Sequence, residues 1–393
     1  MKKTKQAVSL LLAAAMLAFI FGACKSETSS SSSEAVSGTT AESSAVQETT
    51  NAPDDPVETL LNDMSLEEKV GQMFYMCYPD ETAYDLIRNS YIGGVVLFGN
   101  HFADKTADEV RQEIAAYQNA SKIGMLIGVD EEGGTVVRAS DNPKLRSEPF
   151  ASPKEVYQEG GWDAVEKTEA EKADFLLSLG INVNNAPVCD ITSNTESFIF
   201  DRSFSGDVNE VCTYVSKTVG ICREKKLGTV LKHFPGYGDN TDTHEDLSYD
   251  EKPYEEFQNS DFLPFKAGIE AGADCIMVAH NIVTSMDPDY PASLSSKVHE
   301  IIRSELGFDG VIVTDDLAMK AISRYTGSDA AAVAAVKCGN DLLCCSDVST
   351  QYPAVLNAVK SGEIPEEQIN ASVKRILKWK QNLGLLGSGE TEN

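Results

Sequence analysis

Eight short apolar runs punctuate the chain, separated by longer segments whose apolar residues recur every three or four positions. The runs are VGQMFYM (from Val70), GGVVLF (Gly93), MLIGVD (Met125), INVNNAPV (Ile181), GTVLKHF (Gly228), ADCIMVAH (Ala273), GVIVTDD (Gly310) and NDLLCC (Asn340). Several are continuously apolar rather than alternating, the pattern of parallel strands buried on both faces. The segments between them, such as ADEVRQEIAAYQNA and AVEKTEAEKADFLLSLG, read as amphipathic helices often closed by glycine. Strands and helices alternating eight times predict an α/β fold, a single (β/α)8 TIM-type barrel. An open doubly wound sheet is the alternative, but no GxGxxG follows a strand to support its nucleotide site.

The flanks depart from this pattern. Lys2, Lys3 and Lys5 precede the apolar run AVSLLLAAAMLAFIF, which leads into Gly22, Ala23 and Cys24. That run has the length and flanks of a signal-peptide core rather than of a membrane span. The small residues before the cysteine resemble a bacterial lipobox, which implies cleavage before Cys24 and lipidation of its sulfur. An ordinary secretory signal, with Cys24 incidental, is the alternative. The tract KSETSSSSSEAVSGTTAESSAVQETTNAPDD follows and lacks any apolar cluster to offset its ordering entropy, so a flexible tether is expected. The expected organisation is a signal peptide over 1–23, a disordered tether over 24–55, the barrel over 56–387 and a flexible tail over 388–393. The address implied is extracytoplasmic, anchored to the bacterial membrane through Cys24, or secreted if Cys24 is not lipidated. After the last strand run comes only the helical sequence IPEEQINASVKRILKWKQNLG, so no second domain is expected.

Charge and cysteine usage narrow the chemistry. The formal net charge of -28 argues against a nucleic-acid partner, which selects basic faces, and favours a neutral or small substrate. Of nine cysteines, most lie in apolar stretches and none forms a CxxC, so buried free thiols are expected and no disulfide pair is assigned. The first strand run carries no HxH, and neither a phosphate-binding glycine loop nor a nicotinamide fingerprint occurs. No metal and no cofactor are implied.

In a barrel of this kind the site forms at the C-terminal ends of the strands. Those ends carry Asp130, Lys232 with His233, His280, and Asp315 with Asp316. Here the chain resembles a known family. KHFPGYGDNTDTH, from Lys232, resembles the KHFPGHG…D-S-H signature of glycoside hydrolase family 3, in its bacterial β-N-acetylglucosaminidase (β-N-acetylhexosaminidase) branch. GFDGVIVTDDLAM resembles that family's nucleophile segment. MSLEEKVGQMF, GGVVLFGN, IGVDEEGGTVVR, LGINVNNAPVCDI, DRSFSGD and MVAHNIV match in the family's order, spanning Met64 to about Cys345.

The resemblance implies a retaining exo-β-N-acetylglucosaminidase. Its substrate would be an oligosaccharide or muropeptide ending in N-acetylglucosamine. Asp315 would be the nucleophile that retention requires; as a residue at a strand–loop junction it could instead cap a helix. Asp316 is expected to point elsewhere, because side chains alternate along a strand. Asp242 and His244 would form the acid/base dyad, the aspartate fixing the imidazole tautomer; spacing alone is also compatible with solvated loop residues. Asp130, Arg138, Arg202, Lys232 and His233 would hold the sugar, with Arg202 alternatively an ion-pair partner of Asp201. His280 would line the site or be a satisfied core histidine, and His101 and His299 receive no role. Three departures from the family pattern stand out: Tyr237 replaces a histidine, Thr135 replaces an arginine, and one residue fewer separates Gly238 from Asp242. Two rivals share these residues, a β-N-acetylglucosaminide phosphorylase and a non-catalytic sugar-binding lipoprotein.

Overall fold

The computed structural model describes residues 55–240, 247–326 and 330–386. The segment expected to be a signal peptide, Cys24, most of the expected tether, the expected tail, and Asp242 and His244 lie outside the described residues. Eight parallel strands form the central sheet: β1 Phe74–Cys77, β2 Gly94–Leu97, β3 Leu126–Val129, β4 Val183–Asn184, β5 Gly228–Phe234, β6 Cys275–Val278, β7 Val311–Thr314 and β8 Leu343–Cys345. Seven fall inside one of the apolar runs, and β1 extends one residue past its own, to Cys77. From β1 to β7 each pairs with the next in chain order, and β8 returns to β1 with Leu343 opposite Phe74. The remaining seam, between β7 and β8, is a single parallel bridge from Val313 to Leu342, so the barrel is nearly closed. This excludes the open doubly wound sheet.

Every position of the eight strands is buried, as expected where helices cover a parallel sheet. Capping boxes fix three helix starts, with Ser65, Thr106 and Ser152 paired reciprocally to Glu68, Glu109 and Glu155. Inside the barrel the Tyr75 ring reaches from β1 across to β3. A Cβ at Gly128 would sit 1.5 Å from the Tyr75 hydroxyl, so only glycine leaves room there.

Run INVNNAPV contributes just two ladder residues. Asparagine side chains take the place of its backbone: Asn182 accepts from the Ile127 N–H (2.8 Å) and donates to the Met125 carbonyl (2.9 Å). Asn184 does the same with the N–H and the carbonyl of Glu131, both at 3.0 Å. A short accessory pair, Tyr249–Asp250 with Ile282–Val283, rides above the C-terminal ends of the strands.

Candidate active site

At those C-terminal ends lies a cavity of about 220 Å³. That is below the roughly 300–1,000 Å³ of pockets that enclose drug-sized ligands, and suits one sugar ring. Asp130, Arg138, Arg202, Lys232, His233 and Asp315, six residues read from the sequence, all line it. They arrive from the ends of β3, β5 and β7 and from the loops after β3 and β4. A larger cleft of about 470 Å³, with Asp274 and Trp379 in its walls, opens at the opposite end of the strands. The chemistry-bearing residues converge on the smaller space.

Its floor is an ion network. The Lys232 ammonium lies 3.0 Å from Asp130 and 2.7 Å from Glu132. Arg202 forks onto the same Glu132, with Nε at 3.0 Å from one oxygen and Nη2 at 2.8 Å from the other. Glu132, rather than the exposed Asp201, is thus its partner. Burial would raise the Glu132 carboxyl, but Arg202 and Lys232 outweigh it and hold the group well below the usual carboxylate range. Burial would lower the Lys232 ammonium, but Asp130 and Glu132 hold it above the usual lysine range.

His233 is oriented from below. Its Nδ1 lies 2.7 Å from the Asp190 carboxylate, which also accepts from the His233 N–H (3.2 Å) and the Tyr237 N–H (2.7 Å). A carboxylate partner places the proton on Nδ1, leaving Nε2 to accept from Arg202 Nη2 at 3.2 Å. Tyr237, one of the departures, is buried and packs edge-on against His233, centroids 5.0 Å apart. The other described departure, Thr135, is exposed. Arg138 stands on the wall 5.8 Å over the Phe98 ring, and its Nε is buried without a hydrogen-bond partner.

Asp315 leaves β7 with its N–H bonded to the Val278 carbonyl at 3.0 Å. Asp316 also lines the cavity, contrary to the expectation from strand alternation. The strand ends at Thr314, so that rule no longer governs the next two residues. The Asp316 carboxylate accepts from the Ala318 N–H (3.0 Å) and the Ser346 hydroxyl (2.8 Å). Burial, with the Asp315 charge adding to it, raises this carboxyl above its usual range. His280 does not border the cavity. It is fully buried, with Nε2 3.0 Å from the Asp316 carbonyl and Nδ1 2.7 Å from the Ser293 hydroxyl. These two bonds brace the loop that presents Asp315.

Sequence reasoning missed Glu132 and Asp190, the two carboxylates that hold the cations and the imidazole. The strand-end rule that selected Asp130 would have reached both, since each closely follows β3 or β4. Glu131 looks equivalent in sequence but turns inward, accepting from the N–H groups of Arg138 (3.0 Å) and Ala139 (2.8 Å). It thereby fixes the loop that carries Arg138. Among the described residues, no group of three or more His, Cys, Asp or Glu side chains is arranged to hold a metal ion.

The comparisons with known proteins agree with this geometry. Residues 65–379 match the model of the glycosyl hydrolase family 3 N-terminal domain. A β-hexosaminidase of Xanthomonas campestris pv. campestris is 32% identical over 310 residues, covering 78% of this chain and 88% of that protein. A glycoside hydrolase family 3 β-N-acetylglucosaminidase from a Paenibacillus species superposes with a TM-score of 0.77 at 31% identity, covering 84% of this chain but 66% of that one. A family 3 glycosyl hydrolase from Mycobacterium smegmatis gives 0.73 at 26% identity, over 83% of this chain and 98% of that one. With the barrel, the cavity and these matches in accord, the chain belongs to glycosyl hydrolase family 3 and is a glycoside hydrolase.

Proposed function

We propose that the protein is a retaining exo-β-N-acetylglucosaminidase that releases terminal non-reducing N-acetylglucosamine, with peptidoglycan fragments as its source. One observation carries the reading: Asp315 shares a cavity sized for one sugar ring with Asp130, Arg138, Arg202, Lys232 and His233. A carboxylate there attacks the anomeric carbon as the glycosidic C–O bond breaks, and water later cleaves the resulting ester. The proton for the leaving oxygen is assigned to His244, oriented by Asp242, on the segment outside the described residues. Arg138 brings a donor without a partner, while the paired charges of Asp130 and Lys232 offer both an acceptor and a donor to sugar hydroxyls. The cations Lys232 and Arg202 are already matched by carboxylates, which favours a neutral sugar and water over phosphate as the acceptor. The names of the β-hexosaminidase and β-N-acetylglucosaminidase relatives support the N-acetyl preference. The basic start, the lipobox-like residues and the Ser/Thr tract support an extracytoplasmic protein anchored by lipid at Cys24.

The test is hydrolysis of an aryl N-acetyl-β-glucosaminide beside the aryl β-glucoside, with Asp315→Asn as control. Release from the first, little from the second and a loss of at least about 10³-fold in the variant are expected. Binding of N-acetylglucosamine without turnover would sink the enzyme reading. Product emerging as N-acetylglucosamine 1-phosphate, and only when phosphate is present, would make it a phosphorylase.

A further inference from the structure

We propose that Tyr78 and Phe98 form a stacking platform for the leaving-group sugar, with His101 as its positioning residue. This rests on the glycosidase reading above. The cavity has a direction: its floor residues Lys232 and His233 are 3% and 5% exposed, whereas Tyr78 on its rim is 52% exposed. An exo-acting site holds the non-reducing sugar on the floor, so the departing part of the substrate lies over the rim.

Tyr78 is built to stay there. It follows β1 directly and adopts a left-handed backbone (φ 50°), uncommon for a large non-glycine residue. Its ring stacks on Phe98, centroids 3.7 Å apart and planes within 13°. That contact covers one face and leaves the exposed side of Tyr78 open. A histidine ties the two loops together. His101 Nε2 lies 2.8 Å from the Pro79 carbonyl, so this nitrogen carries the proton; Nδ1 then accepts from the Phe98 N–H at 2.9 Å. The buried imidazole thus joins the residue after Tyr78 to Phe98 itself.

Among the described residues the large exposed apolar side chains are Tyr78, Tyr249 and Tyr290. All three sit on connections that leave the C-terminal ends of barrel strands. The C–H faces of a pyranose ring suit the electron-rich face of an aromatic ring, the same polarity that orders aromatic pairs. The ligand class is therefore a hexopyranoside in the leaving-group position.

The test compares two substrates that share the N-acetylglucosaminyl group. One is the β-1,4-linked N-acetylglucosamine disaccharide; the other is the glycosyl azide, whose leaving group has no ring. Tyr78→Asn removes the ring while tolerating the left-handed backbone. It is expected to lower kcat/KM about tenfold on the disaccharide, about 1.4 kcal/mol, and about twofold or less on the azide. Tyr78→Phe should restore the disaccharide rate. His101→Ala should reproduce most of the selective loss, whereas Tyr290→Ala, away from the cavity, should not. Equal losses on both substrates, or none on the disaccharide, would overturn the platform while leaving the glycosidase reading intact. A wild-type protein that turns over neither substrate would overturn both.

Discussion

Lys232 and Lys380 are buried at opposite ends of one barrel, 3% and 0% exposed, in opposite surroundings. Lys232, at the C-terminal end of the strands, meets two carboxylates and borders a cavity. Lys380, on the helix Glu366–Asn382, places Nζ 2.6 Å from the Gln72 side-chain oxygen just ahead of β1. Among the described residues no carboxylate pairs with it, and burial pushes its ammonium down to about 7. A third group completes the contrast. Asp341, ahead of β8, accepts from Arg303, Arg375 (3.0 Å), Ser372 (2.8 Å) and the Ile312 N–H (2.9 Å), which leaves it no capacity for a ligand. A buried charge therefore marks a site only when its partners leave it facing open space. At the strands' N-terminal end the same residue types hold the barrel together.

The largest expected effect breaks that end. Asp341→Ala takes the carboxylate from Arg303 and Arg375 at the β7–β8 seam, leaving Arg303, among the described residues, only the Phe308 and Gly310 carbonyls, and should cost about 3–5 kcal/mol of stability. A urea titration reads the loss, and KM of the remaining folded enzyme should hold. A changed KM would mean that the two ends are coupled and the division of labour is wrong. The converse variant, Lys232→Met, removes a cation from the cavity floor. A loss of about 10²-fold in kcat/KM, roughly 2.7 kcal/mol, is expected on the N-acetylglucosaminide. Stability should also fall, because Glu132 and Asp130 lose a partner. Loss of stability with full activity would reassign Lys232 to the structural class of Asp341.

Most of the fold was legible because eight short apolar runs, several of them uninterrupted, alternate with amphipathic segments, the pattern of parallel strands buried on both faces. What escaped was length at β4, where Asn182 and Asn184 replace backbone bonds with side-chain ones. In the site, Asp130, Arg138, Arg202, Lys232, His233 and Asp315 could be named because each fits a strand end or a family motif. Their convergence depends on loops that return to the cavity. Glu131 and Glu132 are neighbours of one residue type, and only the fold shows that one holds a loop and the other the cations. His280 had two readings, and its bonds to Ser293 and the Asp316 carbonyl, which place it beneath the loop of Asp315, could not be foreseen from MVAHNIV. Lys380 was invisible, since a lysine in RILKWKQN looks like the solvated stripe of an amphipathic helix.

Lys380 also supplies the smallest and most selective test, through pH. Its folded-state value of about 7 lies below the ordinary lysine value of about 10.4. Below pH 7 both folded and unfolded chains carry the proton, and the folded state bears the buried charge. From about 7 to about 10.4 the folded state releases the proton while the unfolded chain keeps it, so this group's contribution to stability rises with pH. The slope approaches about 1.4 kcal/mol per pH unit within that window. Lys380→Met removes the titration and keeps an unbranched side chain in the space. The variant should therefore have its greatest advantage over the wild type, or its smallest deficit, near pH 6.5. That difference should move steadily in the wild type's favour towards pH 9. Melting temperatures of the two proteins across this range measure it. The corresponding Lys232→Met series should show no such drift over the same range, because Asp130 and Glu132 keep Lys232 charged throughout. A constant gap for Lys380→Met would show that its ammonium finds a counter-charge after all, and the contrast between the two ends of the barrel would lose its clearest case.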